Sequence, residues 1–132
     1  MKFRYINAHA PWILIMIAIT IESSISNISL PDIGITFTDK LAHFGVFAVM
    51  GWALTRGMIL SRVKYPIMIS VVIGFVFAVT DEWHQSFVPG RDSDVLDVVA
   101  DLIGLIVSAN LYKLFIHFFP PKFLKIKEET TD

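Results

Sequence analysis

Between Val79 and Leu105 the chain reads V-T-D-E-W-H-Q-S-F-V-P-G-R-D-S-D-V-L-D-V-V-A-D-L-I-G-L, and there it gathers most of its costly polar residues. Asp81, Glu82, His84, Gln85, Arg91, Asp92, Asp94, Asp97 and Asp101 fall between two long apolar stretches. Each residue type brings a chemistry. Arginine presents a planar fork that pairs bidentately with phosphate or carboxylate, so Arg91 is suited to grip an anionic group. Carboxylates serve as general acids or bases and as ligands to hard divalent cations; Asp39, Glu82 and Asp97 are candidates for both roles, and a divalent metal is one open reading. His43 lies four residues after Asp39, on the same helical face, and could shuttle a proton or simply bond to its neighbour. Other chemistries are absent from the chain. It has no cysteine, hence no disulfide, thiolate ligand or thiol nucleophile, and it carries neither a nucleophilic serine motif nor an H-E-x-x-H helix.

The elements that must hold these groups read as membrane spans. The 132 residues are 55% hydrophobic, with a mean hydropathy of +0.64, above the roughly 45 to 50% apolar usage of soluble domains. A net charge of -1 offers no basic surface, which argues against a nucleic-acid partner. The pattern predicts an all-helical, compact bundle of four spans. The first follows M-K-F-R-Y-I-N-A-H-A-P-W, with Pro11 in its opening turn and an apolar run from Ile13 to Ile21. No small-x-small site follows and three more apolar runs come later, so a retained span is expected rather than a cleaved leader. Its about 15 to 18 residues are short against the roughly 20 that cross a bilayer.

Serines and turn formers from Ser23 to Thr38 predict a surface loop. Thr38 or Asp39 is expected to cap the second helix, which runs to about Leu60. The third runs from Ile67 to about Val88, the chain turns at Pro89-Gly90, and the fourth runs from about Asp94 to Phe119, where Pro120-Pro121 stops it. Residues 1–120 thus form one transmembrane domain and 121–132 a charged cytoplasmic tail. A soluble bundle would keep one polar face on each helix, whereas Ile67 to Thr80 is apolar all round.

Short cytoplasmic loops carry the positive excess. Lys2, Arg4, Arg56, Arg62, Lys64, Lys113, Lys122, Lys125 and Lys127 fall on one side of a four-span arrangement. Both termini are therefore expected in the cytoplasm and the polar cluster at the outer leaflet. On the fourth helix Asp94, Asp97, Asp101, Gly104 and Ser108 step by three and four and form one stripe. Its small residues let another helix approach closely, within the bundle or across an oligomer through the Asp97/Asp101/Gly104/Ser108 face. An unpaired Asp101 inside the apolar region would cost about 2.5 to 3.5 kcal/mol, so it should be protonated, paired, wet or metal-bound.

Three ordered blocks carry a family resemblance: D-K-L-A-H-F-x-x-F from Asp39 to Phe47, D-E-W-H-Q-x-F-V-P-G-R from Asp81 to Arg91, and D-V-x-A-D-x-I-G from Asp97 to Gly104. They resemble the signature blocks of VanZ-like membrane proteins over about residues 12 to 110. The resemblance points to Asp39, His43, Asp81, Glu82, Gln85, Arg91, Asp97 and Asp101 as candidate catalytic or binding residues. Asp101 stands where many members have asparagine, and Asp94 lies outside the motif and suits a helix cap. The family's namesake raises resistance to teicoplanin, a glycopeptide directed at lipid-linked cell-wall precursors. The resemblance therefore implies a multi-pass protein of the bacterial plasma membrane, with membrane lipids or a lipid-linked cell-envelope intermediate as partner.

Three functional readings follow. One is an outward-facing site that binds or acts on an anionic lipid or lipid-linked intermediate. The second is a non-enzymatic protein whose polar residues lock the bundle, with Arg91 on Glu82 or Asp97, His43 on Asp39, and Gln85 on Asp101 or a freed carbonyl at the helix end. A third is an ion or solute pathway, since intramembrane carboxylates also mark proton relays.

Overall fold

A computed structural model describes residues 2–26 and 35–120, with side chains from Tyr5 to Ser26 and from Phe37 to Pro120. Four helices make up the described chain: α1 (Lys2–Ser23), α2 (Ile35–Leu60), α3 (Pro66–Gln85) and α4 (Val95–Phe118), with no strand among the described residues. All four are long and apolar enough to cross a membrane, and the chain is a multi-pass membrane protein. The 121–132 tail lies outside the described residues.

Helices α2 and α4 form the central pair, α3 packs against both, and α1 lies on α2 and touches α3 lightly. Close approach of the central pair depends on glycine. A Cβ on Gly104 would strike the Phe44 carbonyl oxygen and come within 3.1 Å of the Ala48 nitrogen, while one on Gly51 would strike the Ser108 hydroxyl. Phe47, Met50, Leu54 and Leu105 fill the space between the helices and are almost wholly buried. The outward side chains, among them Leu14, Val49, Met68, Val76, Ile103 and Leu111, are equally apolar. Water would leave that surface costly, whereas lipid tails match it.

The helix ends differ from expectation in three places. Helix α1 begins at Lys2, so Pro11 lies inside it rather than in its opening turn. A proline has no N–H for the carbonyl four residues back, and the Asn7 carbonyl freed in this way accepts from Arg56 Nη1 at 2.8 Å. The span is accordingly longer than the apolar run alone implied. Helix α2 begins at Ile35, so neither Thr38 nor Asp39 caps it. Ser23 closes α1 and is fully buried, not part of a surface loop; of the expected loop, residues 27–34 lie outside the described residues.

Elsewhere the ends follow local chemistry. Arg62 takes a left-handed backbone (φ 59°) after α2, with Val63 N donating to Met58 O and Arg62 N to Ile59 O. This paired bonding is a Schellman closure, sealed by Val63 against the core that contains Met58. Pro66 opens α3 where its missing N–H costs nothing. Gly90 has φ 80° in the turn before α4, and Asp94 caps α4 by accepting from Leu96 N at 2.9 Å.

Candidate functional site

The up-and-down order brings the ends of α1 and α3 together with the starts of α2 and α4. Every expected site residue lies at this end of the bundle. Asp81, Glu82, Gln85, Asp97 and Asp101 are each no more than 6% exposed, and Asp39, His43 and Arg91 are partly buried. Asp101 lies two turns into α4, about 10 Å from its cap at 1.5 Å per residue.

Each buried carboxylate finds a partner on another segment. Asp81 Oδ2 accepts from Ser23 Oγ at 2.8 Å and from Gln85 Nε2 at 3.1 Å. Glu82 Oε1 accepts the backbone N–H of Asp94 at 2.6 Å, fastening the end of α3 to the start of α4. Asp101 Oδ1 lies 3.1 Å from His43 Nδ1. An ionised carboxylate can only accept, so with Asp101 ionised the proton sits on Nδ1 and Nε2 is the ring atom free for other work. Lys40 Nζ, from the first part of α2, donates to Asp97 Oδ1 at 2.9 Å and to Asp94 Oδ2 at 2.6 Å. The Lys40 ammonium, followed by the Leu96 amide, holds the Asp94 carboxyl below the usual carboxylate range.

Several partners differ from those expected of a bundle locked by its polar residues. Arg91 pairs with Glu22 of α1, Nη2 to Oε1 at 2.8 Å, and not with Glu82 or Asp97. His43 pairs with Asp101 across the α2–α4 contact and not with Asp39 one turn below it. Gln85 serves Asp81 and, at 3.4 Å, the Ser23 hydroxyl, not Asp101. Asp97, Asp101, Gly104 and Ser108 are buried inside a single chain, with Gly104 and Ser108 directly against α2.

Lys40, Glu22, Ser23 and Ser24 were not among the expected site residues. Lys40 was detectable in principle, since an ammonium inside an apolar helix requires a counter-charge as much as Asp101 does. Ser24 Oγ lies 3.1 Å from His84 Nε2, so the Glu22-Ser23-Ser24 end of α1 engages Arg91, Asp81 and His84 in turn.

A cation could be held by Asp39, His43 and Asp97, whose potential ligand atoms, one from each residue, all lie within 4.8 Å of one another. His43 here takes the place expected of Glu82, whose Oε1 is committed to the Asp94 amide. Two carboxylates and an imidazole suit a divalent ion, and Asp101 on Nδ1 would orient the ring as an outer partner.

A second His-containing cluster lies at the opposite end. Trp12 Nε1, a donor only, donates to His9 Nδ1 at 3.1 Å, so His9 Nε2 carries the hydrogen shared with Ser61 Oγ at 2.9 Å. That tautomer gives Ser61 no base, and the Ser–His contact fastens α1 to α2 without activating a nucleophile.

The fold and site define a four-span membrane protein with a buried, carboxylate-rich polar centre at one end. The VanZ/LLP1 family model matches residues 3–116, and the chain belongs to that family. A curated Schizosaccharomyces pombe protein, described only as uncharacterized, is 29% identical over 85 residues, covering 64% of this chain and 52% of its own length. The chain therefore spans about half of that relative. No solved structure matches the chain.

Proposed function

We propose that the polar end of the bundle binds, and turns over or presents, the anionic headgroup of a membrane lipid or lipid-linked cell-envelope intermediate. The observation that carries this reading is Arg91: its side chain is only 15% exposed and its Nε is buried with no partner among the described residues. A guanidinium in that state has hydrogen-bonding capacity reserved for an oxygen not supplied by the protein. The surrounding carboxylates alone would repel an anion. A divalent cation held by Asp39, His43 and Asp97 would offset that repulsion and share the headgroup with Arg91; Asp97 would then exchange Lys40 for the ion. The lysine and arginine distribution supports an outward-facing site with both termini in the cytoplasm. The family resemblance supports a bacterial plasma membrane and an effect on glycopeptide or lipoglycopeptide susceptibility.

A second reading, that the network only locks the helices, draws support from the partner each buried carboxylate already has. Arg91→Lys, Glu82→Gln and Asp97→Asn separate the two. For a ligand site, the variants insert and fold but lose an anionic lipid retained by the unaltered protein in native mass spectrometry, and chelation weakens that retention. Loss of folded protein in all three, or bare protein throughout, assigns the residues to the lock.

A further inference from the structure

Arg91 is held by half of its fork. Nε–H and Nη2–H lie along one edge of a guanidinium, the edge that accepts two oxygens of a single carboxylate or phosphate. Glu22 takes Nη2 at 2.8 Å, and Nε on that edge has no partner among the described residues. The two members of the pair are placed unequally: the Arg91 side chain is 15% exposed and that of Glu22 is 53% exposed. The carboxylate can leave for water at little cost, whereas a buried guanidinium left without an anion is costly. Whatever displaces Glu22 must therefore bring its own negative charge.

Resting on the reading of Arg91 as an anion site, we propose that Glu22 is an internal stand-in for the ligand's phosphate. A phosphate with two free oxygens takes both Nε and Nη2, and Glu22 swings out to solvent. No covalent step is involved; one anion exchanges for another. Glu22 thereby sets specificity, because a ligand with one weak acceptor cannot match the pair it must break, while a two-oxygen phosphate exceeds it. The end of α1 is arranged for this exchange. Ser23, fully buried on Asp81, anchors the helix one residue beyond Glu22, and α1 otherwise has its lightest interface with α3, the helix that leads into the Arg91 turn.

The test uses the full chain in an uncharged maltoside detergent, titrated with phosphatidylglycerol in one arm and inorganic phosphate in the other. Glu22→Gln and Glu22→Ala are compared with the unaltered protein and with Arg91→Lys. Removing the competing carboxylate should tighten binding about fivefold in both Glu22 variants, the ratio expected for loss of one exposed ion pair. Tightening confined to phosphatidylglycerol marks the ligand as a lipid headgroup; tightening in both arms marks phosphate itself. Binding that depends on Arg91 but is unchanged or weaker in the Glu22 variants overturns the stand-in role and leaves the site standing. Absence of binding in every protein overturns both.

Discussion

Lys40 serves two carboxylates with one ammonium, the cap and the first-turn aspartate of α4. Asp97 is almost fully buried, so removing its counter-charge leaves an uncompensated carboxylate. Lys40→Met should destabilise the folded protein by about 3 kcal/mol, within the range for breaking a buried pair from one side. Adding Asp97→Asn should recover much of that loss. Denaturant unfolding in detergent, run as a double-mutant cycle, measures the coupling directly; additive losses would mean that Lys40 does not serve Asp97. Spacing along α2 put Asp39 and His43 on one face, which is correct, yet helical periodicity carries no information about what stands opposite that face. For the same reason Arg91 could be recognised as needing an anion while its partner Glu22, 69 residues away, could not be named.

For the helices, the contact between α2 and α4 governs whether the site exists. A Cβ at Gly104 meets backbone atoms of Phe44 and Ala48 that cannot rotate aside, whereas one at Gly45 meets nothing within 4 Å. Gly104→Ala should therefore cost about 1 to 3 kcal/mol through overpacking and push the two helices apart. The Lys40–Asp97 and His43–Asp101 pairs would loosen with them. Gly45→Ala, on an open face of α2, should be neutral or stabilising by up to about 1 kcal/mol from helix propensity alone. Thermal unfolding of the two variants side by side checks this, and equal effects would contradict the packing described. The spans themselves were legible because each apolar run is bounded by prolines, glycines or charges. The start of α1 was not, because Pro11 normally argues for a helix boundary. The residue that makes an internal proline tolerable is Arg56, 49 positions from the carbonyl it satisfies.

Across the whole molecule, charge asymmetry and the site's position make one claim together. If lysine and arginine set the orientation, the Asp92 end faces outward and the Lys64 end faces the cytoplasm. A membrane-impermeant maleimide applied to intact cells should label Asp92→Cys but not Lys64→Cys, and both after the membrane is permeabilised. The reverse pattern would place the polar centre on the cytoplasmic side and change the class of lipid intermediate it can meet. The four spans were readable from composition because the lipid environment imposes the same apolar length on each of them.

The pairs at the polar centre also set a timetable. Lys40 and His43 are made 57 and 58 residues before the carboxylates that neutralise them. At about 5 to 20 residues per second, the interval is roughly 3 to 12 s. Until it ends, α2 and α3 carry a lysine, a histidine, Asp81 and Glu82 without the helix that unites them. The centre therefore closes only when α4 arrives, and a chain stalled before that point presents the insertion and quality-control machinery with charged groups in lipid. The last helix to be synthesised is the one that makes the others acceptable to the membrane.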